Sequence, residues 1–183
     1  MVLFHELAES RRSCRSYSDD PIERKDLEKC VDTALLAPSA CNAQPWKFII
    51  VDDPATVKKV ASTFPKTPGS LNSFASGARV FAAIVSEKQK FIPWIGGKLS
   101  GKNFREMDLG LAAGHFVLEA RELGIGTCII GWFDEKKIKQ VLGVPRNRSV
   151  RLLISLGYPG NESLNPQPRR LKDKRETVGD NRY

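Results

Sequence analysis

Four short segments carry the residue types that hold and orient a ligand. RRSCR, residues 11–15, sets three guanidinium groups and a hydroxyl within five positions. Arginine presents fork-shaped donors suited to phosphate and to the carbonyl edge of a heterocycle. Ser13 adds a hydroxyl able to donate to a phosphate oxygen. Taken alone, the run is as ordinary as any basic helix end, where cations meet the dipole favourably. PSACNAQPW, residues 38–46, is a loop fixed by two prolines, with Ser39, Asn42 and Gln44 as short polar groups along it. Such a loop can hydrogen-bond the edge of a planar polar ligand while Trp46 and Phe48 anchor it. A plain helix-to-strand connection would account for the serine better than for Asn-x-Gln-Pro-Trp as a set. LGIGTCIIGW, residues 123–132, is a helix end, a glycine turn, a strand and then Gly131. Missing side chains let backbone approach a flat ligand and donate N–H groups to it, although such turns are rich in glycine anyway. PRRLKDKR, residues 168–175, is a second basic cluster. It is a solvated tail, further charge for a phosphate, or a nucleic-acid contact.

Other chemistries find little support. No Ser-His-Asp or Cys-His arrangement is visible. The cysteines, Cys14, Cys30, Cys41 and Cys128, are far apart and form no C-x-x-C, and the two histidines, His5 and His115, complete no zinc-like set. Reduced thiols and no metal are expected. A net charge of +8 and a pI near 9.5 favour anionic partners: phosphorylated cofactors, nucleotides or nucleic acid. A hydrophobic fraction of 41% and a charged fraction of 27% suit a soluble globular domain. No apolar run approaches the roughly 20 residues that span a bilayer. The start, MVLFHELAESRR, has no basic region ahead of an apolar stretch, so a cytoplasmic protein without a secretory signal is expected.

The elements that must position these segments follow from periodicity. A helix is expected over 2–12, with Leu3, Phe4, Leu7 and Ala8 on one face. Asp19-Asp20-Pro21 reads as the start of a second helix over 22–37, whose inner face carries Leu27, Cys30, Val31, Ala34 and Leu35. Strand 47–51, helix 54–64, an irregular stretch 65–77 and a buried strand 79–86 follow. Residues 87–105, with Trp94 and Gly96-Gly97, show no clear period. The longest helical pattern is 106–123, with Leu109, Ala112, Ala113, Phe116, Val117 and Ala120 in register. Gly110 and Gly114 lie one turn apart on it. A helical glycine costs up to ~1 kcal/mol against alanine, which a close approach by a helix or ligand would offset. Gly124 caps the end, strand 127–130 follows, and Asp134 caps a helix over 134–142. Strand 151–156 ends at Gly157. This is an α+β (α/β-like) pattern, a sheet covered by helices. Residues 1–159 form one domain, and 160–183 an extended arm that crosses a surface or a partner.

In order, RRSCR, APSACNAQPW, ELGIGTCIIGW and PRRL resemble the nitroreductase family of FMN-dependent oxidoreductases. The family shows R-R-S-x-R after its first helix, A-P-S-x-x-N-x-Q-P-W, a long central helix, a G-x-G-type turn into a strand, and a basic residue near the C-terminus. The resemblance spans nearly the whole chain. It implies a central, mostly antiparallel sheet flanked by helices, and an intertwined homodimer with two FMN sites, each built from both chains. Carried over by position, Arg11 and Ser13 hold the phosphate and ribityl end, with Arg12 beside them. Arg15 faces the pyrimidine N1/O2 edge, where its charge stabilises the reduced ring. Pro38, Ser39, Asn42 and Gln44 reach the flavin from the partner chain. The backbone of Ile130, Gly131 and Trp132 lies near N5 and O4, and Arg170 or Arg169 completes the phosphate site. Asn72 is the candidate for the ring edge. Phe91, Trp94 and Phe104 either stack on a substrate or make core and dimer contacts. Cys41 and His115 are assigned no chemistry.

The resemblance further implies that no side chain is itself catalytic: hydride passes from NAD(P)H through flavin N5. Ping-pong turnover with small acceptors such as nitroaromatics or quinones is expected. The segment between the 79–86 strand and the central helix is shorter than in many family members, which bears on the substrate. The same flavin site would also serve dehalogenation, flavin or heterocycle chemistry, or a protein electron carrier. A basic nucleic-acid-binding domain is the alternative from another class. It lacks a zinc finger, RNP-type motif or helix-turn-helix and leaves Asn42 to Trp46 unexplained, so neither nucleic acid nor membrane is an expected partner.

Overall fold

The most apolar run of the chain becomes the middle of the sheet. The computed structural model describes residues 3–65, 71–88, 91–160 and 177. In chain order the elements are α1 (Phe4–Ser10), α2 (Arg24–Leu35), β1 (Trp46–Val51), α3 (Pro54–Ala61), β2 (Val80–Ser86), α4 (Phe91–Ser100), α5 (Phe104–Glu122), β3 (Gly126–Ile130), α6 (Glu135–Leu142) and β4 (Ser149–Gly157). Short 3-10 turns cover Ala40–Asn42 and Ser73–Gly77. The strands form one sheet in the order β1-β2-β4-β3, with every pairing antiparallel. The α+β architecture is therefore the one expected from the sequence.

Every residue of β2 is buried, because both of its faces are covered. Val80, Ala82 and Ile84 point to one layer, where Leu27, Cys30 and Ala34 of α2 meet Leu109, Ala112, Ala113 and Phe116 of α5. Phe81, Ala83 and Val85 point to the other, against Val57 and Val60 of α3 and Ile138 of α6. Alternation along a strand thus feeds two cores from one sequence run. Stacked ring pairs reinforce each layer, Phe48 with Phe116 at 5.8 Å and Phe64 with Phe81 at 6.0 Å between centroids.

Local signals set most element ends. Asp53 accepts from Thr56 N at 2.8 Å ahead of Pro54, and Asp134 accepts from Lys137 N at 3.1 Å. Gly124 closes α5 with φ 75°. Two expectations are corrected. Helix α2 starts at Arg24, not at Asp19-Asp20-Pro21, and its N-cap Glu23 makes no side-chain cap. The aspartates are engaged elsewhere, Asp20 by the Ser18 hydroxyl at 2.8 Å and Asp19 by Arg79. The 87–105 segment contains a full helix, α4, hidden by Pro93, Gly96 and Gly97. At Gly97 a Cβ would sit 2.7 Å from the Lys102 carbonyl oxygen, so the return of the chain to α5 requires glycine there.

Candidate functional site

RRSCR does not end as a free basic turn. Its second half runs along the outer edge of β3, where Ser13 pairs with Thr127 in a parallel bridge and Cys14 N donates to Thr127 O at 2.8 Å. The strip continues to Tyr17, which bridges Pro159, and Gly160 N donates to Ser16 O at 2.9 Å. The Tyr17 hydroxyl lies 2.7 Å from Ser155 Oγ and donates to Cys14 O at 2.9 Å. Burial raises the pKa of this phenol, chiefly by desolvation, so it stays protonated as a donor. Glycines make the docking possible. A Cβ on Gly126 would lie 2.6 Å from Cys14 Sγ, and one on Gly157 2.7 Å from the Tyr17 ring.

This edge pairing opens a cavity of about 430 Å³ between α1, α5 and β3, in which Arg11 and Ser13 face Thr127 and Ile129. Gly114, Val117 and Leu118 of α5 form its floor. One wall thus offers a guanidinium and hydroxyls, and the other is apolar. The partly exposed Ile129 side chain and the absent side chain of Gly114 leave room for a flat group. Arg12 turns back instead: its Nη1 donates to Glu9 O and, at 3.0 Å, to Arg11 O, while its Nε is buried without a hydrogen-bond partner among the described residues.

Arg15 stands over the Phe74 ring, 5.5 Å from guanidinium carbon to centroid. Two residues before Phe74, Asn72 donates from Nδ2 to the Trp132 carbonyl at 2.9 Å. Asn72 holds φ 61°, a conformation asparagine tolerates well. The 71–77 segment therefore ties Arg15 to the end of β3, where Ile130 is buried and the Gly131 and Trp132 that follow are exposed, Trp132 to 77%.

Loop 38–44 lies elsewhere and lines no part of that cavity. It follows α2, enters β1, and is anchored to the first turns of α5, where Asp108 Oδ1 accepts from Ala40 N at 3.1 Å. Ser39 Oγ accepts from Gln44 N at 3.0 Å, and Gln44 Nε2 donates to Asn42 Oδ1 at 2.7 Å. Cys41, Asn42 and Gln44 all have positive φ, 51°, 50° and 47°, so the loop holds an unusual shape. Pro38, Asn42 and Gln44 are exposed and Ser39 is half-buried. Asp108 is six residues before Gly114, about 9 Å along the helix. Of the predicted site residues, Arg11 and Ser13 are thus brought together with β3, Arg15 with the 71–77 segment and Trp132, and Pro38, Ser39, Asn42 and Gln44 form a separate group. Arg169 and Arg170 lie outside the described residues. His115 Nδ1 donates to Leu111 O at 2.9 Å within α5.

Thr127, Phe74 and Asp108 escaped the sequence reading. Asp108 had a visible signal, an acid set beside Leu109 and one turn before Ala112 in an apolar stripe. It is 4% exposed, its Oδ2 has no hydrogen-bond partner among the described residues, and burial raises its pKa. Thr127 and Phe74 had none, since their roles depend on pairings distant in sequence.

The layered fold and edge cavity define an α+β scaffold with a cleft that is polar on one wall and apolar on the other. A family model described as "Nitroreductase family" matches residues 8–158, and the chain belongs to that family. The protein from Archaeoglobus fulgidus named "Putative NADH dehydrogenase/NAD(P)H nitroreductase" is 37% identical over 158 residues, covering 84% of this chain and 83% of its own. A nitroreductase family protein from Clostridium novyi NT superposes with a TM-score of 0.75 at 31% identity, covering 88% of this chain and 87% of that one. The structure named "FMN-dependent Nitroreductase" from Clostridium difficile R20291 gives 0.73 at 28% identity, covering 97% and 98%. Among the described residues no helix is long and apolar enough to cross a membrane, and none of the His, Cys, Asp and Glu groups form a metal-binding set.

Proposed function

We propose that this chain is an FMN-dependent NAD(P)H oxidoreductase that works as a cytoplasmic homodimer and reduces small acceptors such as nitroaromatics or quinones in a ping-pong cycle. The observation that carries this reading is the division of the site. Arg11 and Ser13 share one cavity with β3, whereas Ser39, Asn42 and Gln44 sit on a loop held near the other end of α5. A second copy of the chain would supply the missing half.

The residues fit the cofactor. A phosphate suits Arg11 and Ser13, and the apolar floor of Val117 and Leu118 suits a ring system or its ribityl chain. FMN, when bound, supplies hydride transfer. The protein's share is to bind, orient and set charge. Arg15 provides positive charge at the rim, with Phe74 limiting where its guanidinium can go. The backbone of Ile130, Gly131 and Trp132 presents polar groups beside the edge strand, with Asn72 fixing the Trp132 carbonyl. Arg169 or Arg170 would complete the phosphate site from the 160–183 arm.

The outer stripe of α5 supports the dimer. Met107 and Leu111 are exposed on it beside Gly110 and Gly114, and a Cβ at either glycine would meet nothing within 4 Å. A soluble chain gains by covering such a face.

The test is the visible spectrum of the purified protein, with chromatography of any released flavin and anaerobic titration with NADH and NADPH. About one FMN per chain, bleached by a nicotinamide donor, is the expected result. A colourless protein that takes up no added FMN would overturn the reading.

A further inference from the structure

A second cavity, of about 380 Å³, opens where β2 ends and β4 begins. Its walls include Ser86, Trp94, Arg105, Arg148 and Ser149, and it shares no residue with the cavity beside β3. Arg105 is nine residues before Gly114 on α5, about 14 Å along the helix.

The charges around it are unequal. Arg148 Nε is paired with Glu87 Oε2 at 2.6 Å, which neutralises that guanidinium locally. Lys88 lines the same space. Arg105 forms no ion pair among the described residues. Among the described residues its Nη1 makes a long contact, 3.5 Å to Ser86 Oγ, and its Nε is buried with no hydrogen-bond partner. An arginine that lines a cavity and has no carboxylate partner is answered best by an oxyanion, because two oxygens match the guanidinium fork. Ser86, 4% exposed, supplies a hydroxyl directly beside that fork, and Ser149 pairs with it across the strands. Trp94 adds an indole face to the same cavity.

We infer that this cavity is a second ligand site, which binds a small anion through a carboxylate or phosphate held by Arg105 and Ser86, with Lys88 adding charge and Trp94 covering its apolar part. Glu87 does not repel the ligand strongly because Arg148 holds it. The site stands on its own residues and does not depend on the flavin reading.

The experiment is a thermal-shift titration of the full chain with inorganic phosphate and with benzoate, at constant ionic strength against chloride. A ligand that binds only the folded state raises the midpoint progressively with concentration. Inorganic phosphate also suits Arg11 and Ser13, so each titration is repeated in Arg11→Ala. The expected result is a shift that survives Arg11→Ala and the charge control Lys136→Met, but is lost in Arg105→Met. Arg105→Lys keeps the charge without the fork and should weaken the apparent affinity about tenfold. A response to phosphate alone assigns a phosphoryl ligand; one to benzoate alone, with altered tryptophan fluorescence that Trp94→Phe removes, assigns an aromatic carboxylate. No shift beyond chloride with either probe, or a shift unchanged in both Arg105 variants, would overturn the inference.

Discussion

Asp108, the first buried residue of α5, accepts a hydrogen bond from the backbone N–H of Ala40 and so ties the central helix to the loop bearing Ser39, Asn42 and Gln44. The loop contains three non-glycine residues with positive φ. Such a shape persists only where its surroundings over-determine it. Removing the acceptor in Asp108→Leu leaves the Ala40 donor unmet at a cost of about 1–3 kcal/mol. If the loop serves a partner's cofactor, FMN affinity falls about tenfold or more in Asp108→Leu and stays near wild type in Asp108→Asn, which keeps an acceptor. Fluorescence titration of FMN checks this. Equal affinities in both variants would separate the loop from the cofactor.

The same carboxyl makes stability depend on pH in a definite direction. Burial raises its folded pKa above the ordinary carboxylate value. Between those two values the folded chain keeps a proton that the unfolded chain has released. The contribution is therefore complete below the ordinary value and is lost as pH rises through the raised one. Asp108→Asn cannot titrate. Its stability relative to wild type should rise across that window, as read from urea midpoints at a series of pH values. Glu23, Asp53 and Asp134, whose pKa values are lowered by Lys25, Thr56 and Lys137 respectively, pull the other way but cancel in the difference. A flat or falling difference would contradict the assignment.

The sequence was most legible where a local pattern has one structural answer. Val80 to Ser86 reads as a buried strand because no polar residue interrupts it before the end, and it is buried on both faces. The Leu109 to Ala120 stripe and the Asp134 cap were equally plain. Helix α4 was obscured by Pro93 and two glycines, of which Gly97 is required by the close return of the chain at Lys102. The docking of Ser13 on Thr127 joins positions more than a hundred residues apart, and no local rule reports such a pairing. For the same reason Arg15 was named in the sequence without Phe74, the ring it stands over.

Glycine substitutions test that docking. Gly126→Ala places a methyl against Cys14, and Gly157→Ala places one against the Tyr17 ring and Cβ. Overpacking of this kind costs about 1–3 kcal/mol. Because both clashes fall on residues 14–17, flavin binding should weaken together with stability. Gly110→Ala meets nothing within 4 Å among the described residues and gains helix propensity, so an isolated chain should be stabilised by up to ~1 kcal/mol. Unfolding curves and sedimentation of the three variants check both expectations. A Gly110→Ala protein that loses dimer instead would show that a partner lies against that stripe.

Cysteine alkylation reads the loop in a different way. Cys14, Cys30 and Cys128 are buried, whereas Cys41 is exposed at the tip of the 38–44 loop. Desolvation pushes the Cys30 thiol up to about 12 and raises that of Cys128, so neither offers much thiolate near neutral pH. Iodoacetamide should therefore modify one thiol per native chain, identified by peptide mapping as Cys41. Saturating FMN should slow that reaction if the loop closes over a partner's cofactor. Labelling spread over several cysteines would instead mean that the cores open readily.

Arg11 and Arg15 should separate binding from chemistry. Arg11 shares the cavity with Ser13, Thr127 and Ile129, the place suited to a phosphate. A charge-assisted hydrogen bond contributes about 1.5–3 kcal/mol, so Arg11→Ala should weaken FMN binding roughly ten- to a hundredfold. Arg15 stands over Phe74, and on the proposed reading its charge would act on the redox state of the ring more than on retention. Arg15→Ala should then slow reduction by a nicotinamide donor by a larger factor than it weakens binding. Equilibrium dialysis gives the first quantity and anaerobic stopped-flow the second. A full flavin load in dialysed Arg11→Ala, or unchanged reduction in Arg15→Ala, would remove the role assigned to that residue. Phe74→Ala offers a further check, because it frees the guanidinium without deleting it. Its reduction rate should fall between those of wild type and Arg15→Ala, since the charge remains but its position is no longer held.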